Sequence, residues 1–104
     1  ITLAKLVHEN LTQVGGVTYT EEERKFAEKL QTSLDTKVSI DNAAKITPFM
    51  QNDNPTRGGS TDVGDVSWAV PTVGLGTATW VPGTSAHSWQ AVACSGMGIG
   101  QKGT

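Results

Sequence analysis

The feature that most constrains this chain is a run of turn-forming residues at its centre. Residues 51–59 read Gln-Asn-Asp-Asn-Pro-Thr-Arg-Gly-Gly, and asparagine, aspartate, proline and glycine are the residues that dominate turns. Such a run predicts a loop rather than a helix or a strand. Long loops inside compact domains are usually functional or mobile. The segments on either side of this loop therefore have to supply the regular structure.

Two helices are predicted before the loop. The first is marked by apolar residues at helical spacing and ends at Gly15-Gly16, since glycine is common just past a helix C-terminus. The second begins at Thr20, which forms a T-x-x-E capping box with Glu23. The apolar stripe of the first helix consists of Leu3, Leu6, Val7, Leu11 and Val14, and that of the second of Phe26, Ala27, Leu30 and Leu34.

After the loop the pattern changes to that of a strand between Val70 and Val81. Larger residues (Val73, Leu75, Thr77 and Thr79) alternate with small ones (Gly74, Gly76 and Ala78), which is the period of a strand. A shorter strand is predicted at Val38–Ile40, and Ser85 is expected to cap a third helix from Ala86 to about Cys94. The predicted fold class is therefore α/β, with two N-terminal helices, a long loop, strands and a C-terminal helix.

Composition limits the classes of function. The chain has 104 residues, so it is one small domain or a piece of a larger one. Its apolar content of 37% and its 12 glycines favour a piece that relies on surfaces supplied from elsewhere. A net charge of −2 with both signs interspersed gives no basic surface for nucleic acid, and no apolar run approaches the roughly 20 residues that span a bilayer. A single cysteine, Cys94, suits a reducing compartment, so we expect a cytoplasmic protein.

The first candidate site is the segment from Arg57 to Asp65. The paired glycines Gly58 and Gly59 allow backbone N–H groups to turn toward an anion, and Ser60 and Thr61 add hydroxyl donors. Two acids, Asp62 and Asp65, follow at a spacing of three residues, which places them on one face if the segment is helical. The alternative is a surface loop followed by a helix in which Asp62 is merely the N-cap.

The second candidate is His87. If Ser85 caps the third helix, His87 lies in the first helical turn, where the helix dipole keeps imidazole neutral and able to bind a metal. The alternative is a histidine that only hydrogen-bonds to the loop. A metal site needs three or four ligands, and His8 lies far away in the sequence, so the residue types alone do not complete a site.

Other motifs favour structural explanations. Residues 98–103 match G-x-G-x-x-G, but a dinucleotide site requires that motif to follow a strand and open a helix, whereas the preceding segment is predicted to be helical. Cys94 is expected to be a small buried thiol. The tryptophans Trp68, Trp80 and Trp89 are expected to pack in the core.

Several of these segments together resemble a known family. The run from Gly59 to Trp68, then Val70-Pro71-Thr72, is similar to a signature of the zinc-dependent amidohydrolases of the aminoacylase and carboxypeptidase type, the group that includes the aminobenzoyl-glutamate hydrolases. Further matching segments, in the same order, are 6–11, 19–23, 77–80, 83–84 and 87–90. The resemblance covers nearly the whole chain and is weakest at about 35–57.

The resemblance implies a catalytic α/β domain interrupted by a smaller lid domain. Two metal ions and a glutamate base activate a water that attacks an amide carbonyl in that family. By this resemblance His87 matches the last metal-binding histidine. Gly58, Gly59, Ser60 and Thr61 match the loop that contacts the substrate carboxylate. Asp62 and Asp65 belong to the signature, with no role assigned.

The resemblance also implies that residues 1–104 are a C-terminal segment of the catalytic domain, without the lid or the N-terminal catalytic half. No residue of the chain is then catalytic by itself, and the isolated chain is expected to be inactive. The expected cofactor is zinc or another divalent metal. The expected partners are an N-acyl amino acid such as aminobenzoyl-glutamate, the remainder of the catalytic domain, and a second hydrolase subunit or a second copy. The alternative is a non-catalytic small α/β module that binds carboxylates or serves assembly.

Overall fold

The chain forms short helices joined by irregular segments. A computed structural model describes residues 2–49 and 61–104. The helices are α1 (Thr2–Val14), α2 (Glu21–Gln31), α3 (Val63–Ala69), α4 (Trp89–Ser95) and α5 (Gly98–Lys102), with a 3₁₀ helix at Ile40–Ala44 between α2 and α3. None of these helices is long and apolar enough to cross a membrane.

The predicted α/β fold class is wrong, because no strand occurs in residues 2–49 or 61–104. The segment from Val70 to Val81 is irregular, and Leu75 is 56% exposed. The short strand predicted at Val38–Ile40 is also absent, and Ile40 instead opens the 3₁₀ helix. Alternation predicts which side chains share a face, but a strand also needs a neighbouring strand to accept its backbone hydrogen bonds. The described residues supply none.

The two N-terminal helices are confirmed, and local chemistry explains their ends. Thr20 accepts a hydrogen bond from the backbone of Glu23, whose carboxylate accepts one from the Thr20 N–H, so the capping box is complete. Gly15 follows α1 at φ 85°, a left-handed conformation that glycine adopts without steric cost. Helix α2 ends at Gln31, so Leu34 lies beyond the predicted stripe.

The chain divides into two compact units, each with its own character. The first comprises Ile1–Val14 and Thr47–Leu75. It contains α1 and α3, and neither helix has a buried residue. The rings of His8 and Phe49 lie 5.9 Å apart in a tilted arrangement. The apolar stripe of α1 therefore lacks the buried packing that its pattern predicts.

The second unit comprises Gly15–Ile46 and Gly76–Thr104 and holds the core. Ala27 and Leu30 from α2 meet residues from the second half of the chain, so the core brings distant segments together. The buried cluster consists of Ala27, Leu30, Ile40, Val81, Cys94 and Ile99, with Tyr19, Phe26 and Ala93 packed against it. Cys94 is fully buried, as expected.

The tryptophans are not core residues. Trp68 is 91% exposed, Trp89 is 64% exposed and Trp80 is 36% exposed. The core-packing interpretation of these side chains is therefore wrong. Small side chains such as Ala27 and Cys94 fill the centre of the second unit instead, because the short helices leave little interior volume for an indole.

A polar contact joins the two ends of the second unit. The Lys102 ammonium donates to the Glu23 carboxylate and to the Thr18 carbonyl, the latter at 2.9 Å. These hydrogen bonds, with the one from the Thr20 N–H, hold the pKa of Glu23 below its ordinary value. The same carboxylate thus completes the α2 cap and anchors α5.

Candidate functional site

His87 lies in a tight turn rather than in a helix. Helix α4 begins at Trp89 with Ser88 as its N-cap, so both the predicted cap at Ser85 and the predicted start at Ala86 are wrong. Among the described residues other than glycine, His87 alone has a positive φ, of 57°. Its side chain is exposed. An ordered left-handed residue costs on the order of 1–3 kcal/mol and is typical of functional sites, although histidine is several-fold enriched there.

The hydroxyl of Ser88 holds this turn on both sides. It donates to the carbonyl of Ser85 at 2.7 Å and accepts from the N–H of Ala91 at 3.2 Å. The first bond closes the turn that contains His87, and the second caps α4. One side chain therefore fixes both the path of the backbone before the helix and the start of the helix.

Two glutamine side chains tie the segments that flank the turn to the α2 side of the core. Gln31 donates to the carbonyls of Val38 and Pro82 at 2.6 and 3.1 Å. Gln90 donates to the carbonyl of Ser33 at 3.2 Å. Because Pro82 precedes the turn and Gln90 follows it, the turn is fixed at both ends to the most buried part of the second unit.

Thr84 adds an unsatisfied polar group in the same connection. Its Oγ1 is buried and has no hydrogen-bond partner among the described residues, although its backbone N–H donates to Val81 at 3.1 Å. Buried hydroxyls are nearly always hydrogen-bonded. The segment from Thr84 to Ser88 thus combines an unsatisfied hydroxyl with an exposed imidazole, three residues apart in the sequence.

The described residues do not form a complete metal centre. Residues 2–49 and 61–104 contain no group of three or more histidine, cysteine, aspartate or glutamate side chains that could hold a metal ion. The exposed imidazole of His87 has the chemistry of one ligand, whereas a zinc site needs three or four. Any further ligands would have to come from other residues.

The acidic signature residues lie in the first unit, apart in the chain from His87. Thr61, Asp62 and Asp65 are exposed, and Asp62 occupies the N-cap position of α3 without making a side-chain capping bond. Instead, Thr61 Oγ1 accepts from the N–H of Val63 at 3.4 Å. The structure therefore brings these three residues together at the start of α3, but it assigns them no shared ligand. Gly58, Gly59 and Ser60 lie outside the described residues.

The G-x-G-x-x-G run has a packing role. Gly98 begins the short helix α5, and Gly100 is buried against the end of α4, where a Cβ would lie 2.6 Å from the Cys94 carbonyl oxygen. Gly103 is also buried, and its added Cβ would lie 2.4 Å from the Ala78 carbonyl oxygen. These glycines permit close backbone approach within the second unit.

Sequence reasoning missed Ser88. Serines at 85 and 88 are both suitable N-caps, and a serine three residues before a backbone N–H is the only local signal that distinguishes them. The structure selects Ser88, because the chain between Pro82 and Gln90 is already fixed at both ends by the two glutamines.

Comparison with known proteins gives one informative match. The chain is 29% identical over 126 aligned residues to one of the subunits of the p-aminobenzoyl-glutamate hydrolase of Escherichia coli (strain K12). The alignment covers 98% of this chain but only 26% of the relative, so the chain spans about a quarter of that protein's length. No protein-family model matches the chain, and no solved structure matches it. The similarity supports a weak relationship to this hydrolase along the whole of the chain.

Proposed function

We propose that this chain is part of a metal-dependent amidohydrolase that cleaves the amide bond of N-acyl amino acids such as aminobenzoyl-glutamate. The observation that carries the proposal is the similarity to a p-aminobenzoyl-glutamate hydrolase across 98% of the chain. The exposed, left-handed His87 supports it, because strained residues are typical of functional sites.

In this proposal the chain supplies one metal ligand and part of the substrate pocket. His87 is the ligand, and the metal is zinc or another divalent ion. Gly58, Gly59, Ser60 and Thr61 receive the substrate carboxylate through backbone N–H groups and hydroxyls. Residues beyond this set supply the other ligands and the base. The expected partners are the rest of the catalytic domain and a second subunit or a second copy.

A zinc titration of the isolated chain tests the claim that it supplies a single ligand. We expect weak binding, on the order of that of a free histidine, because one imidazole does not enclose a metal. His87→Ala and His8→Ala serve as matched variants at the chain's two histidines. Tight one-to-one binding that His87→Ala abolishes and His8→Ala leaves intact would contradict the proposal, since it would require a complete site within this chain.

An exchange experiment tests the function. The chain replaces the aligned segment of the Escherichia coli hydrolase, and release of the amine from p-aminobenzoyl-glutamate is measured. We expect activity in the exchange protein, a loss of at least about a hundredfold on His87→Ala, and little change on His8→Ala, because removing a ligand or its support commonly costs roughly 10–100-fold or more. A folded exchange protein whose activity survives His87→Ala would contradict the assigned role.

A non-catalytic assembly module is the second candidate. It is favoured by the exposed apolar side chains of α3, where Val63 and Val66 are each 48% exposed and Trp68 is 91% exposed. Apolar faces of this kind often mark protein contacts. If this candidate is right, the isolated chain would associate with itself or with another protein, and exchange into the hydrolase would give no activity that depends on His87.

A further inference from the structure

We propose that Ser88 is a positioning residue for His87, and that its hydroxyl keeps His87 in the left-handed conformation. The inference rests on the proposed function only in taking His87 as the functional side chain of the turn. The geometry of the turn itself is independent of that function.

The first step is that little else restrains His87. Its side chain is exposed, so packing does not fix its backbone. Nevertheless, its φ is 57°, a region that residues other than glycine enter only when their surroundings impose it. The restraint therefore has to come through the backbone on either side of the residue.

The second step is that Ser88 acts on both sides of that backbone. Its Oγ donates to the Ser85 carbonyl at 2.7 Å and accepts from the Ala91 N–H at 3.2 Å. The first hydrogen bond spans His87 and closes the turn. The second fixes Ser88 to the start of α4, which Gln90 in turn ties to Ser33.

The third step is the chemistry of the hydroxyl. A serine or threonine hydroxyl donates one hydrogen bond and accepts others, whereas an ionised aspartate only accepts. Aspartate and serine are similar N-caps. Aspartate at position 88 therefore preserves the cap on α4 but removes the bond to Ser85, which separates turn closure from helix capping.

The test compares Ser88→Thr, Ser88→Asp and Ser88→Ala with the unmodified 104-residue chain by NMR. The measured signal is the intraresidue nuclear Overhauser effect between the amide and α protons of residue 87, which is strong at positive φ. We expect Ser88→Thr to retain it, and Ser88→Asp and Ser88→Ala to lose it. Signals of the buried Val81 and Ile99 report that each variant is folded.

A matched control separates positioning from general stability. Thr20→Ala removes the N-cap of α2, which lies elsewhere in the same unit, and it should leave the signal of residue 87 unchanged. Retention of that signal in folded Ser88→Asp, its loss in Ser88→Thr, or its loss in Thr20→Ala would each overturn the proposal. If Ser88→Ala does not fold, the aspartate and threonine variants still decide.

This experiment fails or succeeds separately from the proposed function. It uses neither metal nor substrate, so an inactive exchange protein would leave a positive result in place. Conversely, an exchange protein that depends on His87 while Ser88→Asp keeps the left-handed signal would uphold the function and remove the role of Ser88.

Discussion

At the scale of single residues, Glu23 shows how one side chain can have a local and a distant role. The capping box with Thr20 is visible in the sequence, because both partners lie within four residues. The contact with Lys102 spans 79 residues and has no local signal. Sequence reasoning therefore predicted the helix start but not the link from α2 to α5.

The lowered pKa of Glu23 predicts a pH dependence of folding stability. A carboxylate whose pKa in the folded chain lies below its ordinary value of 4.5 stabilises the fold above 4.5. That contribution is lost as the pH falls through the folded pKa, because the unfolded chain then binds the proton more readily. Urea unfolding from neutral pH downward should show this loss, and Glu23→Gln should reduce it.

Glu22→Gln is the matched control, because Glu22 is an exposed glutamate in the same first turn of α2. It should leave the acid dependence close to that of the unmodified chain. An equal acid dependence in the unmodified chain and in Glu23→Gln would show that the contact with Lys102 does not contribute.

Burial predicts that Cys94 is chemically inert in the folded chain. Its side chain is fully buried, and its sulfur accepts a hydrogen bond from the Val81 N–H at 3.4 Å. Thiol reagents need an accessible thiolate, so modification should proceed only as fast as the chain opens. Colorimetric thiol titration, without and with denaturant, measures this. Rapid modification without denaturant would contradict the burial of Cys94.

At the scale of elements, the predictions that succeeded depended on local chemistry and those that failed depended on distant partners. The Thr20 cap and the Gly15 terminus act through neighbouring backbone groups, and both are found. The strand at Val70–Val81 would have needed a pairing segment that alternation does not specify. The start of α4 shifted from Ser85 to Ser88 because anchors distant in sequence, such as Gln31, set the path of the chain.

The glycine at position 100 predicts a case in which packing outweighs helix propensity. Replacing a helical glycine by alanine favours the helix by about 1 kcal/mol. However, a Cβ at Gly100 would lie 2.6 Å from the Cys94 carbonyl oxygen and 2.8 Å from the Ser95 Cα, and overpacking costs about 1–3 kcal/mol. Gly100→Ala should therefore lower the midpoint of thermal unfolding.

Gly64→Ala is the matched control, since Gly64 is also helical and a Cβ there meets nothing within 4 Å. Circular dichroism should show equal or greater helicity for this variant. A Gly100→Ala chain as stable as the unmodified one would mean that α4 and α5 can separate without cost.

At the scale of the whole molecule, the low apolar content correctly indicated a limited core. The buried apolar residues of the described chain number eight, and all of them lie in the second unit. The candidate site could be predicted only as residue types: His87 is found in an exposed turn, while its backbone conformation and its link to Ser88 needed the structure. The role of the loop at 58–60 stays a prediction.

This uneven burial predicts a difference in hydrogen exchange. Amides of α2, α4 and α5 should be the most protected, because they surround the buried cluster. Amides of α3 should exchange almost freely, because this helix has seven residues and none of them is buried, and isolated helices of that length are marginal in water. Exchange monitored by NMR measures both. Strong protection of α3 would show that it packs more firmly than its burial indicates.

The uneven exposure of the tryptophans also gives the chain its own optical reporters. Trp68 belongs to the first unit and is 91% exposed, whereas Trp80 belongs to the second and its Nε1 donates to Ser95 Oγ at 3.4 Å. A chain that retains only Trp68 should emit at long wavelength and be strongly quenched by iodide. One that retains only Trp80 should be quenched less. Intrinsic fluorescence can therefore follow each unit separately, without attached dyes.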